Sequence, residues 1–451
     1  MEEKMKKLLF VICVVLVSAA MLFASGAPEQ KKEETKVALG SAPVTITFWH
    51  CASDDAGVLM DKYIKEFNET NKYQITVNAI YQGQYSDATT LMKTILSAEN
   101  FSELPDIMQL DATGKVAFFD SGKAFTIDDA EAYFGQSVRG DYLEGALGNW
   151  EYSGSQLGLP FATSTTVTYY NKDLLAKAGW DHCPDTFADI IKLSADMKAA
   201  GISAAAYGTV PNSPTLANWI GQLGSYIVNY KNGSEASATK LECIDNGALK
   251  TFLTEWKAMY DAGALVNQSL STNQFIAGEV AVFTNSSANV SNILSKVNGA
   301  FEVGAGTYLR VNDSASYGAT VSGSCLVMFD SGDSLKKAAT WEFIKYMTGE
   351  GVQVDFAIGT GYTPAYKSAS DNAAYKEFLA ATPQFAVAAD QLAKTPASMR
   401  SITIGPSVDF YYAIQNEVSD MLSKNLAVDD VVKSMGDNLQ ALLDNYHRTN
   451  P

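Results

Sequence analysis

Residues 44–111 show two repeating patterns of apolar and polar positions. Val44 to Trp49 alternates β-branched and apolar residues, which predicts a strand. Apolar residues then recur at helical spacing from Leu59 to Phe67, behind Ser53 and Asp54, which suit a helix N-terminus. A second strand, a second helix and a third strand are predicted at residues 75–79, 89–98 and 105–110. This β-α-β-α order predicts a mostly parallel sheet with helices on its faces.

Three polar or aromatic residues fall in or just after the ends of these predicted strands. Ligands of parallel sheets bind beyond the carboxyl ends of the strands, so His50, Tyr85 and Asp111 are candidate site residues. Two alternatives stay open, because Tyr85 also suits a surface loop and Asp111 also suits a helix N-cap.

The second half of the chain predicts further helices and strands. Helices are predicted at residues 186–200, 248–260, 336–348 and beyond 411, and a strand at residues 278–283. Gly201 and Gly263 stop the helices at residues 186–200 and 248–260, as glycine often does. Residues 231–239 are rich in Gly and Ser and predict a surface loop.

The stretch from Leu159 to Asp173 has an unusual composition. It reads L-P-F-A-T-S-T-T-V-T-Y-Y-N-K-D, with small hydroxylated residues in the middle and β-branched and aromatic residues after them. This pattern predicts an extended segment that runs into a capped helix. The segment suits a hinge that presents uncharged polar groups, and an ordinary buried strand is the alternative.

The same stretch resembles the first inter-domain crossing of the extracellular solute-binding proteins of sugar ABC transporters, among them the maltose-binding and glycerol-3-phosphate-binding proteins. Further landmarks of that family follow in its order: I-T-F-W-H from Ile46, Y-Q-G-Q-Y from Tyr81, F-I-A-G-E-V-A-V-F-T from Phe275 and G-T-G-Y-T-P-A-Y from Gly359. Together they cover most of the chain.

The resemblance implies an α/β fold of the periplasmic-binding-protein type II class. Two α/β lobes would be joined by a multi-crossing hinge, with the ligand cleft between them. The implied first lobe comprises residues 44–164 and 324–365, and the second comprises residues 165–323 and 366–451. The second and third crossings are expected at residues 317–328 and 359–365.

The resemblance also implies a function. The protein would be the exported substrate-binding component of an ABC importer, which captures a mono- or oligosaccharide and delivers it to the permease subunits in the membrane. A binder of glycerol 3-phosphate or of a glycerophosphodiester on the same fold is the first alternative. A secreted carbohydrate-active enzyme is the second, since paired carboxylates are brought together in space and not by spacing.

Several site residues follow from the resemblance. Ser164 is the central hydroxyl of the first crossing, and Ser286 and Ser287 fall where relatives use backbone and hydroxyl groups. Gly323 lies at the second crossing, where it lets ligand approach the backbone or serves a turn. Tyr362, in G-Y-T-P, lies at the third crossing.

Two further aromatic residues are candidates. Trp219 is expected to line the cleft or to lie in the core. Tyr411 aligns with an arginine of the glycerol-3-phosphate binder and with a stacking aromatic of maltose-type binders. Because arginine suits a phosphate, a tyrosine there favours a neutral sugar face. The alternative is that Tyr411 and its neighbours pack a helix onto the lobe.

The N-terminus has the pattern of a secretory signal. Three lysines precede an apolar run from Leu8 to Phe23, and small residues follow. We expect cleavage near Gly26, so that residues 1–26 are the signal peptide and residues 27–43 a flexible tether; an uncleaved membrane anchor is the alternative. No cysteine follows the small residues, so we expect a periplasmic protein without a lipid anchor.

Composition narrows the function further. The 451 residues suffice for two domains, and a formal net charge of −17 argues against nucleic acid and anionic membranes as partners. The sequence has no H-E-x-x-H, G-x-S-x-G or Walker motif, so we expect no catalytic residues and no cofactor. Cys51, Cys183, Cys243 and Cys325 show no metal spacing, so we expect mostly isolated thiols and no metal site. We also expect the mature protein to be a monomer.

Overall fold

The computed structural model of the protein describes residues 38–396 and 398–449, and the unit from Leu39 onward is described by itself. The predicted signal peptide and most of the predicted tether lie outside the described residues. The strands are β1 (Val44–His50), β2 (Ile75–Tyr81), β3 (Ile107–Leu110), β4 (Ala124–Phe125), β5 (Glu151–Tyr152), β6 (Ser155–Gln156), β7 (Gly158–Asn171), β8 (Tyr207–Gly208), β9 (Leu265–Val266), β10 (Val282–Ser286), β11 (Val303–Gly306) and β12 (Val321–Phe329).

The helices lie between and after these strands. They are α1 (Asp54–Thr70), α2 (Tyr85–Ser97), α3 (Lys115–Asp120), α4 (Ile127–Phe134), α5 (Glu144–Gly148), α6 (Lys172–Lys177), α7 (Phe187–Ala199), α8 (Ser213–Gln222), α9 (Asn229–Gly233), α10 (Glu242–Asp245), α11 (Ala248–Asp261), α12 (Thr272–Ile276), α13 (Val290–Val297), α14 (Ser334–Met347), α15 (Glu350–Thr360), α16 (Ala373–Ala381), α17 (Pro383–Lys394), α18 (Ser407–Ser423) and α19 (Val428–Thr449).

Eight strands form one sheet. Its order is β10-β7-β12-β3-β1-β2, with β11 also paired to β7 and β4 to β12. β1 pairs in parallel with β2 and β3, whereas β12 and β7 pair antiparallel with their neighbours. The prediction of a parallel sheet is therefore correct for the first three strands and wrong for the whole sheet, because periodicity carries no strand direction.

Two groups of hydrophobic cores lie along this sheet. The first group draws mainly on residues 44–165 and 321–365, and the second mainly on residues 167–319 and 404–443. β7 contributes Phe161 to the first group and Val167 to the second, so this strand passes from one to the other. Helix α17 connects them again, through Ala388 and Leu392.

The stretch predicted as the third crossing, residues 359–365, contacts both groups of cores. Phe356 and Ala365 share a core of the first group. The Thr360 carbonyl accepts a hydrogen bond at 2.6 Å from the Ser291 hydroxyl of α13, a helix that carries core residues of the second group. The position of the third crossing stays a prediction.

The helices predicted at residues 186–200, 248–260 and 336–348 are confirmed to within two residues, whereas those predicted at residues 89–98 and beyond 411 each begin four residues earlier. Helix α7 begins at a capping box. The Thr186 hydroxyl accepts a hydrogen bond from the backbone N–H of Asp189, and the Asp189 side chain accepts one from the backbone N–H of Thr186. The strand predicted at residues 278–283 is wrong in position, because Gly278 has φ +74° and turns the chain before β10. The surface loop predicted at residues 231–239 is also wrong in part, because Asn232 and Gly233 are buried.

Candidate functional site

A cavity of about 560 Å³ opens beyond the carboxyl end of β1. Residues on the side of the first group of cores are Cys51 to Ala56, Gln84, Tyr85, Gln109, Ala162, Phe356, Thr360 and Tyr362. On the opposite side, Ala288 and the polar face of α13, with Ser291, Asn292 and Ser295, complete the lining. Both groups of cores therefore contribute to this first cavity.

Aromatic rings and neutral polar groups meet in the first cavity. The Tyr362 ring stacks on Phe356 with centroids 5.6 Å apart, and its hydroxyl interacts with that of Tyr85. Burial raises the pKa of both tyrosines, so both hydroxyls stay protonated and can donate or accept a hydrogen bond. The arrangement offers a ring face beside hydroxyl groups.

Gln109 organises the base of this cavity. Its Nε2 donates to the Tyr85 hydroxyl at 3.0 Å and to the Ser324 hydroxyl at 2.9 Å. Its Oε1 accepts from the backbone N–H of Cys51 at 2.9 Å. One buried amide thus joins β3, β12 and the segment after β1. Sequence analysis missed Gln109, although a polar residue inside the apolar run of β3 was an available signal.

A second cavity, of about 320 Å³, lies on the other side of the paired strands β7 and β12. It is lined by Asp111, Ala112, Thr113, Asn149, Trp150, Thr166, Pro214, Thr215, Asn218, Thr320, Val321, Ser322, Gly323, Ser401 and Ile402. Burial raises the pKa of Asp111, opposed by the hydrogen bond that the Thr113 hydroxyl donates to it at 2.7 Å.

A β-bulge separates the two cavities. The register between β7 and β12 skips Ala162, which has φ +53°, next to Gly323 with φ +102°. A Cβ at Gly323 would lie 2.0 Å from the carbonyl oxygen of Ala162, so only glycine fits. Ala162 lines the first cavity and Gly323 lines the second.

Two of the predicted site residues line the first cavity, two line the second, and six line neither. Tyr85 and Tyr362 line the first cavity, and Asp111 and Gly323 line the second. The other predicted residues line neither: His50, Ser164, Trp219, Ser286, Ser287 and Tyr411.

The remaining predicted residues have structural partners or burial that explain their positions. His50 is buried at the end of β1, and burial lowers its pKa. The Ser287 hydroxyl accepts from the backbone N–H of Thr165 at 3.2 Å, which ties β7 to the turn after β10. Ser164 is buried within β7, opposite a residue of β12. Ser286 is half-buried, and its carbonyl accepts a hydrogen bond from the hydroxyl of a β7 tyrosine.

Trp219 and Tyr411 lie on helices of the second group of cores. Trp219 is fully buried, and its ring N–H donates to the carbonyl of Leu309 at 3.1 Å, so the core alternative describes its position. Tyr411 is half-buried on α18, next to fully buried Phe410.

Comparison with known proteins decides the family. Residues 62–386 match the model of a family described as bacterial extracellular solute-binding protein. The chain belongs to this family. The sn-glycerol-3-phosphate-binding periplasmic protein of Shigella flexneri is 26% identical to this solute-binding protein over 369 residues, which cover 79% of this chain and 82% of the relative.

Solved structures share the fold of this solute-binding protein. The cyclic alpha-maltosyl-1,6-maltose binding protein from Arthrobacter globiformis superposes with a TM-score of 0.75 at 18% identity, over 90% of this chain and 100% of that one. The glycerophosphocholine complex of UgpB from Mycobacterium tuberculosis gives 0.72 at 21% identity, over 90% and 100%. These likenesses confirm the type II periplasmic-binding-protein fold.

Family membership supports three general statements about role, partners and location. A solute-binding protein has a transport role and not a catalytic one, and its family works with ABC permeases. Its homologues are periplasmic or extracellular. Within residues 38–396 and 398–449, none of the helices combines the length and apolar character that a membrane span requires.

Proposed function

We propose that this solute-binding protein captures a mono- or oligosaccharide between its lobes and delivers it to an ABC importer. The observation that carries the proposal is the first cavity, where the stacked rings of Phe356 and Tyr362 lie beside neutral hydroxyl and amide groups. A pyranose presents C–H faces to aromatic rings and hydroxyl groups to such polar side chains. The cavity has the chemistry that this ligand needs.

The proposed mechanism is closure of two lobes around the sugar. We place residues 44–164 and 324–365 in the first lobe and residues 165–323 with the C-terminal segment in the second. The two groups of hydrophobic cores support this division. The last boundary of the proposal lies between residues 365 and 366, so the C-terminal segment comprises residues 366–451. The bulge at Ala162 is a natural pivot, because few residues there need to change conformation.

We further propose an exported monomer that has neither a lipid anchor nor a cofactor and does not bind nucleic acid. The support is the signal pattern at residues 1–26, the missing cysteine after it, and the net charge of −17. Intact-mass measurement on protein from the native envelope tests export and lipidation together. Cleavage near Gly26 without added mass is expected, and a diacylglycerol mass or an uncleaved N-terminus would contradict the proposal.

A thermal-shift screen tests the ligand class. A ligand that binds only the native state raises the melting temperature, so neutral mono- and oligosaccharides should do so. Glycerol 3-phosphate and glycerophosphocholine belong in the same screen, because relatives with this fold are named for such ligands. Stabilisation by these compounds alone would replace the proposed sugar with the alternative, and turnover of a bound sugar would indicate an enzyme.

A further inference from the structure

Gln109 is a buried amide whose orientation is fixed by its neighbours. It is 2% exposed and lies on β3, at the base of the first cavity. The backbone N–H of Cys51 donates to one end of this amide at 2.9 Å. Because a backbone N–H can only donate, that end is the oxygen Oε1 and the other end is the nitrogen Nε2. The reverse orientation would place two donors face to face.

Both protons of Nε2 are in use. One is donated to the Tyr85 hydroxyl at 3.0 Å and the other to the Ser324 hydroxyl at 2.9 Å. Ser324 donates its own proton to the backbone carbonyl of Phe161 at 2.8 Å, and that carbonyl can only accept. Gln109 therefore has no proton left to donate to a ligand, and it acts on the first cavity through Tyr85.

The direction of these hydrogen bonds continues through Tyr85. Its hydroxyl oxygen accepts from Gln109, so its own proton is available to donate away from β3. The hydroxyl on that side belongs to Tyr362, which also lines the first cavity. Burial raises the pKa of Tyr362, and the hydrogen bond with Tyr85 opposes this shift, as a bond donated to the Tyr362 oxygen does. The protons therefore point from β3 toward the cavity.

The opposite wall of the first cavity has the reverse polarity. The hydroxyl protons of Ser291 and Ser295, on α13, are donated to the backbone carbonyls of Thr360 and Asn292 at 2.6 and 3.2 Å. Their oxygens are left as acceptors, which suit the protons of sugar hydroxyl groups. A sugar can therefore donate to α13 while it accepts from the two tyrosines.

We propose that Gln109 is a positioning residue that makes Tyr85 and Tyr362 a donor pair, so that the first cavity selects sugars with an acceptor oxygen at this pair. This inference rests on the proposed function and specifies the polarity of its binding site. A hydroxyl or ring oxygen accepts such a bond, whereas a C–H group does not. A ligand without the acceptor leaves a buried donor unpaired, which lowers its affinity.

Gln109→Glu is the decisive variant, because it reverses the polarity. An ionised carboxylate still accepts from the backbone N–H of Cys51, but its second oxygen accepts from Tyr85, whose own oxygen is then the acceptor that faces the cavity. The probes are deoxy and deoxyfluoro derivatives of glucose and galactose, changed at each ring hydroxyl in turn. They are uncharged, a C–F group only accepts, and a C–H group does neither.

Calorimetry on the full mature protein compares the two kinds of probe. At the hydroxyl that contacts the tyrosine pair, the parent should bind the deoxyfluoro sugar about threefold or more tightly than the deoxy sugar. This advantage should vanish or reverse in Gln109→Glu, because fluorine then meets oxygen lone pairs. Tyr85→Phe should abolish it too, since the ring stays and the donor is lost. If Gln109→Glu does not fold, Tyr85→Phe makes the same comparison.

Gln353→Glu is the matched control. Gln353 is 4% exposed, its Oε1 accepts from the backbone N–H of Ala365 at 2.7 Å, and its Nε2 donates to two backbone carbonyls. It lines neither cavity. Gln353→Glu introduces the same buried carboxyl group and should keep the deoxyfluoro advantage of the parent.

The pH dependence of Gln109→Glu separates polarity from loss of structure. A protonated carboxyl group donates to Tyr85 as the amide does, so the deoxyfluoro advantage should return as pH falls, over roughly pH 5–9 for a buried carboxyl. Charges on Tyr362, Cys51 and Asp111 also act on Tyr85. Burial raises the pKa of Cys51 to about 12 and raises that of Tyr362, so both stay neutral, and titration of the parent corrects for Asp111.

Infrared spectroscopy reads the polarity without any ligand. The phenolic C–O stretch of a tyrosine shifts in opposite directions when its hydroxyl accepts and when it donates. The difference between isotope-labelled parent and Tyr85→Phe isolates the band of Tyr85. In the parent this band should show an accepted bond, and in Gln109→Glu at high pH it should shift to the position of a hydroxyl that only donates.

The outcomes separate the inference from the proposed function. A Tyr85 band that does not shift in Gln109→Glu, a deoxyfluoro advantage that this variant keeps, or no such advantage in the parent overturns the inference and leaves sugar binding standing. If only oligosaccharides bind, the infrared result decides the inference. If no sugar binds in calorimetry or in the thermal-shift screen, the proposed function fails and the inference falls with it.

Discussion

At the bulge between β7 and β12, single residues combine unusual backbone conformations with close packing. Ala162 has a positive φ that alanine rarely adopts, and Gly323 opposite has no room for a side chain. Such strain persists only where the surrounding structure holds it in place, and it lies here between the two cavities. The strained backbone thus lies at the position that we propose as the pivot of lobe closure.

Gly323→Ala should destabilise the protein by roughly 2–4 kcal/mol, because the added Cβ meets the Ala162 carbonyl and the residue has positive φ. Gly299→Ala is the control, since Gly299 has φ +77° but no atom within 4 Å of its Cβ position. Urea unfolding of both variants separates backbone strain from steric contact. Equal losses in the two variants would contradict the packing argument.

The first cavity gives a residue-scale test of binding. Tyr362→Ala should cost about 1–3 kcal/mol, or one to two decades in affinity, because it removes the ring stacked on Phe356. Tyr412→Ala serves as control, since Tyr412 is 57% exposed on α18. Calorimetry with the sugar that gives the largest thermal shift makes the measurement. An unchanged affinity in Tyr362→Ala would remove this residue from the site.

Tyr411 remains a prediction from sequence. If its ring stacks on the sugar, Tyr411→Ala should weaken binding by one to two decades and Tyr411→Phe should have a mild effect. Tyr411→Arg should favour phosphorylated ligands, because a guanidinium bonds phosphate bidentately. Calorimetry on the three variants with neutral and phosphorylated sugars decides between them. Parent-like affinity in Tyr411→Ala would show that the ring only packs the helix.

At the scale of elements, helix α9 contains residues whose backbone angles are not helical. Tyr230, Lys231 and Asn232 have left-handed φ values of 55°, 50° and 60° in succession. The Asn232 side chain holds this turn, since its Oδ1 accepts from the backbone N–H of Ile227 at 2.7 Å and its Nδ2 donates to the carbonyl of Arg400 at 2.8 Å. The turn therefore fixes the backbone of the segment that contains Arg400.

Asn232→Ala should lower the free energy of unfolding by roughly 2–4 kcal/mol, because it leaves buried backbone groups without partners. Asn298→Ala is matched to it, since Asn298 has a similar left-handed φ of 46° but is exposed. Chemical denaturation compares the two variants. A loss no larger than that of Asn298→Ala would show that the side chain does not hold the turn.

Elements with local signals were predictable from the sequence, and those set by long-range contacts were not. Helix α7 has its capping box at Thr186 and its glycine at position 201, so its ends follow from nearby residues. The backbone of Arg400 has no such local signal, because the hydrogen bond that holds it comes from Asn232, 168 residues away in the sequence. Tyr362 and Gly323 were reached through the family resemblance, which carries three-dimensional information that periodicity lacks.

At the scale of the whole molecule, two groups of cores share one sheet and are joined at β7 and α17. Gln391 of α17 strengthens the junction, since its buried Nε2 donates to the Thr165 hydroxyl and to the carbonyl of Thr166, both at 2.8 Å. In the closure that we propose, the two lobes would rotate about this junction while each core keeps its packing.

Ligand binding should therefore reduce the radius of gyration. Small-angle scattering with and without the strongest ligand of the screen measures the change, and a non-binding sugar at the same concentration is the control. A smaller radius only with the strongest ligand is expected, since closure brings the lobes together. An unchanged radius at saturation would count against lobe closure.

The antiparallel pairing of β3 with β12 also sets the order in which the chain can fold. Leu110 of β3 pairs with Cys325 of β12. The sheet therefore lacks its central strand β12 until about 200 further residues have been synthesised, which takes roughly 10–40 s at 5–20 residues per second. The first group of cores cannot be complete during that interval, because it includes residues 321–365. For the export that we propose, this delay would keep the nascent chain unfolded for longer and would leave its apolar strands open to chaperones.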